Sequence, residues 1–409
     1  MARFNINEAP LGLNNISALF KIKYEKLSEN VYNSANVLLG RCKKSYNFVG
    51  EKMQITVPQS FAGGVGSGSL PKANRAKYGK AEITAKKLYA RVEIDRETIK
   101  AALKDEGSFV RATKEVVKKG VESYMRNLSR ILFSDGSGAL GTVASIATDT
   151  CTLSSGAFKE ADLEEGDLVD IKKADGTDVT PDNSPLEITS VEIQANGDAE
   201  VVISGAGAAG AVATDIIYMQ GSKDNDPTGL KKAVTSSTGV DLYTILTDRK
   251  WSSVDVDAAS ASISTDLLNK LMLNVEKKCG KAPNLLVTSY VQYEKILNIL
   301  EDQKSYTVST RAGLKTKSGA DVSFTGIEFM STSGPVGIFP ERFCADDEVF
   351  ALNDNHIHIF HRPDFGWFDD DGSVFMRLQD EDAYEARYGG YLEIYINPAF
   401  QGKISSLAV

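Results

Sequence analysis

Histidine is nearly missing from this sequence: three in 409 residues, His356, His358 and His361, all in one short stretch. A histidine-based catalytic centre is excluded over the rest of the chain. Cysteine is almost as scarce, with Cys42, Cys151, Cys279 and Cys344 far apart and no CxxC. That spacing argues against a zinc site or a disulfide framework and fits a reducing compartment. No apolar run approaches the ~18 residues of a membrane helix, and the mean hydropathy is −0.20. The first 30 residues lack a charged start followed by an apolar block, so no secretory signal and no membrane partner are expected.

What is present suffices for a core. Apolar residues make up 42% and charged residues 25%, the balance of a folded protein. A length of 409 residues exceeds the size at which single cores stop growing, so two or three domains are expected. The net charge of −9 speaks against a bulk nucleic-acid coat, but it is an average. Residues 1–132 carry 24 Lys+Arg against 12 Asp+Glu, and residues 133–409 carry 22 against 43. A basic front and an acidic back suit a molecule with one face toward a polyanion or acidic partner; clustering by chance on a solvated surface is the plain alternative.

Residues 1–40 are polar and Asn-rich, with Leu11, Leu13, Ile16, Leu19 and Phe20 as scattered anchors, and read as an extended arm that needs another surface. Alternating stretches Gln54–Pro58 and Glu82–Ile94 flank a Gly/Ser tip containing Phe61, Gly63, Gly64, Leu70 and, just beyond, Lys72. This pattern predicts one long hairpin. Two strands bury too little to stand alone, so the hairpin is expected to pack on another subunit or domain. Asp95 caps a helix through Leu103, and a second helix runs from about Phe109 to Leu132. Val117, Val121, Tyr124, Leu128, Ile131 and Leu132 give that helix one buried stripe. Its remaining surface is basic, with Lys114, Lys118, Lys119, Arg126 and Arg130. Gly120 costs about 1 kcal/mol relative to Ala; it marks a bend or a close contact, unless the helix simply tolerates it.

From Gly136 to about Ser222, alternation such as Leu168-Val-Asp-Ile171, with turns at Asp175-Gly176 and Asn196-Gly197, predicts a small β module. Residues 157–226 hold 16 acidic and 4 basic residues, an outward-looking surface. Residues 228–340 read as α/β, with a helix capped by Ser264 or Thr265, a buried strand Leu285–Thr288 and a Ser289/Gln292 capping box. In the closing strands, Leu392, Ile394 and Ile396 are expected inside, and Tyr391, Glu393 and Tyr395 outside.

No motif reaches enzyme grade. Gly136-Ser-Gly-Ala-Leu-Gly141 spells a dinucleotide fingerprint, but it follows a helix and enters a β region, so it reads as a helix stop. His356-Ile-His358 would put two imidazoles on one strand face, with His361, Asp354 and Asp364 near; structural histidines are the commoner case. Asp380, Glu381, Asp382 and Glu385 read as a solvated face, and Asp369-Asp-Asp-Gly372 as a turn. No cofactor is expected.

The order of parts, with Ser134–Gly138 closing the long helix, Asp226-Pro-Thr-Gly-Leu230, Ile338-Phe-Pro340, Val349–Asn353 and Asp380–Tyr384, resembles the major capsid proteins of tailed phages. The resemblance implies the α+β Hong Kong 97-type fold: arm (1–45), extended loop (46–94), spine helix (95–144), inserted β-rich domain (145–222), axial domain (223–340) and the remainder of the peripheral domain (341–409). It implies hexamers and pentamers of the chain closing an icosahedral virion shell around double-stranded DNA, assembled in the host cytoplasm. A separate scaffolding protein and a portal would be the other partners. Lys114, Lys118, Lys119, Arg126 and Arg130 would face the interior polyanion, and the tip residues Phe61, Gly63, Gly64, Leu70 and Lys72 a neighbouring subunit. The alternatives are another β-rich virion part, such as a tail tube or decoration protein, or a metal-dependent enzyme built on the three histidines.

Overall fold

The computed structural model describes residues 37–409 except 46–47, 49, 61–76, 97–105, 148, 154–162, 174, 178, 180–185, 195–197, 205–210, 303–311, 316–320, 325–326, 332–333, 363–365, 369–373 and 380. Residues 1–36 of the arm, all but Arg96 of the helix expected at 96–103 and all five tip residues therefore lie outside the described residues. A short helical turn, Val37–Arg41, leads into β1 (Lys43–Ser45), β2 (Lys52–Ser60), β3 (Lys77–Thr84) and β4 (Lys86–Asp95). The alternating run expected as one strand over 82–94 breaks at Ala85. Among the described residues β3 pairs with β2 alone, from Lys52↔Thr84 outward, whereas β4 leaves to pair with a distant partner. The alternation slips by one residue there: Ala81 and Ile83 are the buried positions of β3, Val92 and Ile94 those of β4, so the run is two period-two patterns out of phase.

Helix α1 (Glu106–Leu132) buries Val121, Tyr124, Met125, Leu128, Ile131 and Leu132, the stripe its spacing predicts. It lies against β4, and Tyr124 meets the Tyr388 ring edge-on at 5.3 Å. Gly120 is a contact point. A Cβ there would stand 2.5 Å from Val92 Cγ2, on a β-branched side chain that cannot swing away. Gly120→Ala gains about 1 kcal/mol of helix propensity and loses about 1–3 kcal/mol to overpacking. The expected net is a less stable subunit in urea unfolding, restored by adding Val92→Ala; a more stable Gly120→Ala would show that the contact is unimportant.

Six strands, β5 (Ala139–Ala147), β6 (Thr150–Leu153), β7 (Leu168–Lys172), β8 (Leu186–Ile193), β9 (Ala199–Ile203) and β10 (Ile216–Met219), close into a barrel in the order β10-β5-β6-β9-β8-β7. Leu140, Val143, Cys151, Leu153, Val169, Ile171, Ile188, Val201 and Ile217 fill it. Closure removes the exposed edges that so acidic and short a set of strands would otherwise carry.

Among the described residues the remaining body holds two six-stranded sheets. One runs β11 (Val254–Asp257), β18 (Gly402–Ser405), β15 (Val349–Leu352), β12 (Leu285–Thr288), β14 (Gly334–Pro340), β13 (Ile327–Ser331), and is backed by α2 (Thr265–Cys279) and α3 (Tyr290–Asp302). Ser264, not Thr265, caps α2 by accepting from Leu267 N, and Gly280 ends it with φ 72°. In the other sheet β1 pairs with β16 (Ile357–His361), and β16 with the long β17 (Ala383–Ile396), which pairs with β4 from Leu392↔Lys86 to Ala383↔Asp95. β17 is buried on both faces: Glu393 and Tyr395, expected outside, are 4% and 6% exposed. The segment before β11 covers the second face, as Thr228 N donates to Glu393 Oε1 at 2.7 Å and the Tyr243 ring lies 5.3 Å from Tyr395.

Candidate functional site

The two surfaces that the sequence singles out are the β2–β3 hairpin and helix α1. Val57, Ala81 and Ile83 of the hairpin are buried, while Tyr78, one rung beyond Val57, is 56% exposed. Among the described residues no third strand extends the β2–β3 pair.

The five helix cations do not share one fate. Lys118 and Lys119 are exposed, Lys118 with an i,i+4 partner in Glu122 at 3.4 Å. Lys114 lies in the helix, its side chain outside the described residues. Arg126 and Arg130, expected on the polyanion-facing surface, are instead neutralised within the chain. Arg126 is paired with Glu164 and, at 2.6 Å, with Asp167 of the segment entering the barrel. Arg130 is 7% exposed and faces Asp226 at 3.4 Å, which also accepts a short hydrogen bond from the Ser222 hydroxyl. Ser222 O and Oγ lie against Gly138, where φ is 81° and no Cβ would fit. The glycine pair after the helix is thus a stop and a close packing point, as the misplaced fingerprint indicates.

The histidines fall apart as a cluster. His356 sits in a 3-10 turn, not on the strand, and stacks on Phe400 with centroids 3.7 Å apart. His358 is on β16 against Phe360 and Tyr395, and His361 is buried with Nδ1 3.1 Å from the Arg362 carbonyl. Burial lowers the pKa of all three, and Lys43, Lys44 and Lys281 push the same way. The nearby Asp354 is occupied by Asn284 at 2.6 Å and by Arg41. Among the described residues no three His, Cys, Asp or Glu side chains stand together as a metal site.

Sequence reasoning missed two buried carboxyls. Glu341 is 5% exposed and accepts from Leu38 N at 3.1 Å, at the start of the short helix that ends the arm. Burial pushes its pKa up to about 7, and does the same for Glu393. Glu385, expected on a solvated face, is 4% exposed and held by Arg91 and Arg387. No local pattern marks Glu341 or Glu393, whose partners Leu38 and Thr228 are 303 and 165 residues away, and Glu385 pairs with Arg91 of the neighbouring strand as well as with Arg387 of its own.

No curated protein sequence matches the chain. Residues 209–362 match the SU10 major capsid protein family. Among solved structures, the cyanophage A-1(L) capsid asymmetric unit superposes with a TM-score of 0.50 at 10% identity, covering 100% of this chain and 96% of that one. The satellite phage P4 procapsid with its size determination protein gives 0.43 at 9% identity, covering 96% of each chain. Mycobacterium phage Patience gives 0.40 at 10%, covering 97% and 89%. Residues 209–362 are thus similar to a major capsid protein family, and the end-to-end superposition on the cyanophage capsid chain shows that the fold is the Hong Kong 97-type α+β fold.

Proposed function

We propose that the chain forms hexamers and pentamers that close an icosahedral shell around packaged double-stranded DNA, assembled in the host cytoplasm with a separate scaffolding protein and a portal. Its role is structural and not catalytic. Its parts are an arm (1–45), an extended loop (46–94), a spine region (95–144), an inserted domain (145–222), an axial domain (223–340) and the rest of the peripheral domain (341–409). The observation that carries the reading is the β2–β3 hairpin, which forms a two-stranded sheet of its own and needs a neighbour to bury its outer length. Closed symmetry supplies that neighbour repeatedly. The loop-tip residues Phe61, Gly63, Gly64, Leu70 and Lys72 are the proposed contact to the next copy. With Arg126 and Arg130 neutralised, Lys118 and Lys119, continued by Lys114, are the proposed interior cations.

Negative-stain microscopy of the purified chain, with and without scaffold, should show closed shells; tubes or dispersed monomers would refute the reading. Lys118→Glu with Lys119→Glu is expected to leave shell closure intact and to lower the ratio of DNA-filled to empty particles severalfold, through lost counter-charge. An unchanged ratio would remove these lysines from the interior face.

A further inference from the structure

The small hairpin Asp241–Leu246 carries a strained turn. It pairs Asp241 with Leu246 and Leu242 with Ile245, which leaves Tyr243 and Thr244 as a two-residue loop. Both have positive φ, 55° and 64°. Such loops favour Asn-Gly, and a β-branched threonine there is strained. Strain of this kind persists only where the surroundings over-determine it.

They do so here. The last rung between β4 and β17 is Lys86↔Leu392. Beyond it, where β4 no longer covers the edge of β17, Tyr243 Oη donates to Ile394 O at 2.7 Å and accepts from Ile396 N at 3.1 Å. A phenol can do both at the end of a rigid ring, and so takes the role of the missing strand residue. The other side of the same turn holds the protruding hairpin. Glu82 N donates to Tyr243 O at 2.9 Å, and Thr244 Oγ1 donates to Lys80 O at 3.5 Å. Lys80 and Glu82 lie on β3, just past the break at Ala85 that separates it from β4.

We infer that Tyr243 is a positioning residue for assembly: the Tyr243-Thr244 turn clasps β3 to the uncovered edge of β17 and sets the direction in which the β2–β3 hairpin leaves the body. This rests on the reading that the hairpin reaches a neighbouring copy. The strain in the turn is the cost of presenting the phenol to β17 and two hydrogen-bonding groups to β3 at once.

Three variants of the full chain separate the possibilities. Tyr243→Phe keeps the ring and loses the hydroxyl. Tyr243→Asn with Thr244→Gly relaxes the turn and removes the clasp. The third replaces residues 61–76 with a short Gly-Ser link. Hydrogen exchange on the free subunit should show the Ile396 and Glu82 amides opening about tenfold faster in both turn variants, with the barrel amide of Val201 unchanged as the sign of a folded chain. Closed shells should form in severalfold lower yield and with a wider spread of diameters. Wild-type exchange at Ile396 and Glu82 would overturn the clasp. If exchange quickens but the turn variants close normal shells while the linked chain does not, the positioning role fails and the hairpin reading stands. If the linked chain also closes normally, the hairpin reading fails and takes the inference with it.

Discussion

Replacing Asp226 by alanine is expected to destabilise the free subunit by about 3–5 kcal/mol, the cost of stranding a buried charge. Arg130 and Asp226 are 7% and 8% exposed, so neither recovers full hydration when its partner is lost. The site is also a junction. Arg130 comes from the last turns of α1, Ser222 from just past the barrel, and the next residues carry Thr228, whose N–H reaches Glu393, and Gly229, packed against the Ser134 and Ile131 carbonyls. The Asp226 carboxylate thus ties α1 to the segment that leaves the barrel. Urea unfolding of the subunit should show the loss, and Asp226→Leu with Arg130→Met should regain much of it, because an apolar pair of similar volume avoids the desolvation penalty. A loss below about 1 kcal/mol for Asp226→Ala would mean that the pair is solvated and weak.

A second large effect is expected from Glu393→Gln, with a sign that depends on pH. Burial, opposed by the Thr228 hydrogen bonds and by Lys86, pushes the Glu393 carboxyl up to about 7. An acid whose folded pKa lies above its unfolded value is stabilising when protonated, and that contribution is lost as pH rises from about 4.5 through 7. At pH 8 the buried carboxylate costs about 3 kcal/mol relative to pH 4. Glu393→Gln should therefore raise the melting temperature at pH 8 by several degrees and leave it nearly unchanged at pH 5. Thermal melts of both proteins across that range decide it; a difference that does not vary with pH would show that Glu393 titrates normally. Glu341, raised to about 7 by burial as well, adds to the same slope in both proteins.

The elements with strong local periodicity were readable from sequence. The stripe from Val121 to Leu132 gives the helix, and the alternation in Leu168-Val-Asp-Ile171 gives barrel strands. What escaped was set by distant partners. Period two assigns Glu393 and Tyr395 to solvent, but Thr228 and Tyr243, more than 150 residues earlier, cover them. A helix face rich in lysine and arginine looks uniformly cationic until Asp167 and Asp226 are brought to Arg126 and Arg130. Charge counts add what Coulomb pairing in the fold subtracts. The break at Ala85 was legible: the alternation slips by one between Ile83 and Leu88, where two lysines stand side by side, and a reading of 82–94 as one strand passes over that slip.

The barrel leaves and rejoins the body at nearly the same point. β5 and β10 lie side by side with Ala139 opposite Tyr218, and Asp224 N donates to Ser137 O at 2.9 Å. An evolutionary loss or gain of this module would leave the flanking chain almost unmoved, and the Arg130–Asp226 pair, which lies outside the strands, would survive it. Arg126 would not be so fortunate, because both its carboxylates, Glu164 and Asp167, depart with the module. Without the barrel an unpaired Arg126 would rejoin the cations Lys118 and Lys119, so the module sets how much positive charge this helix presents.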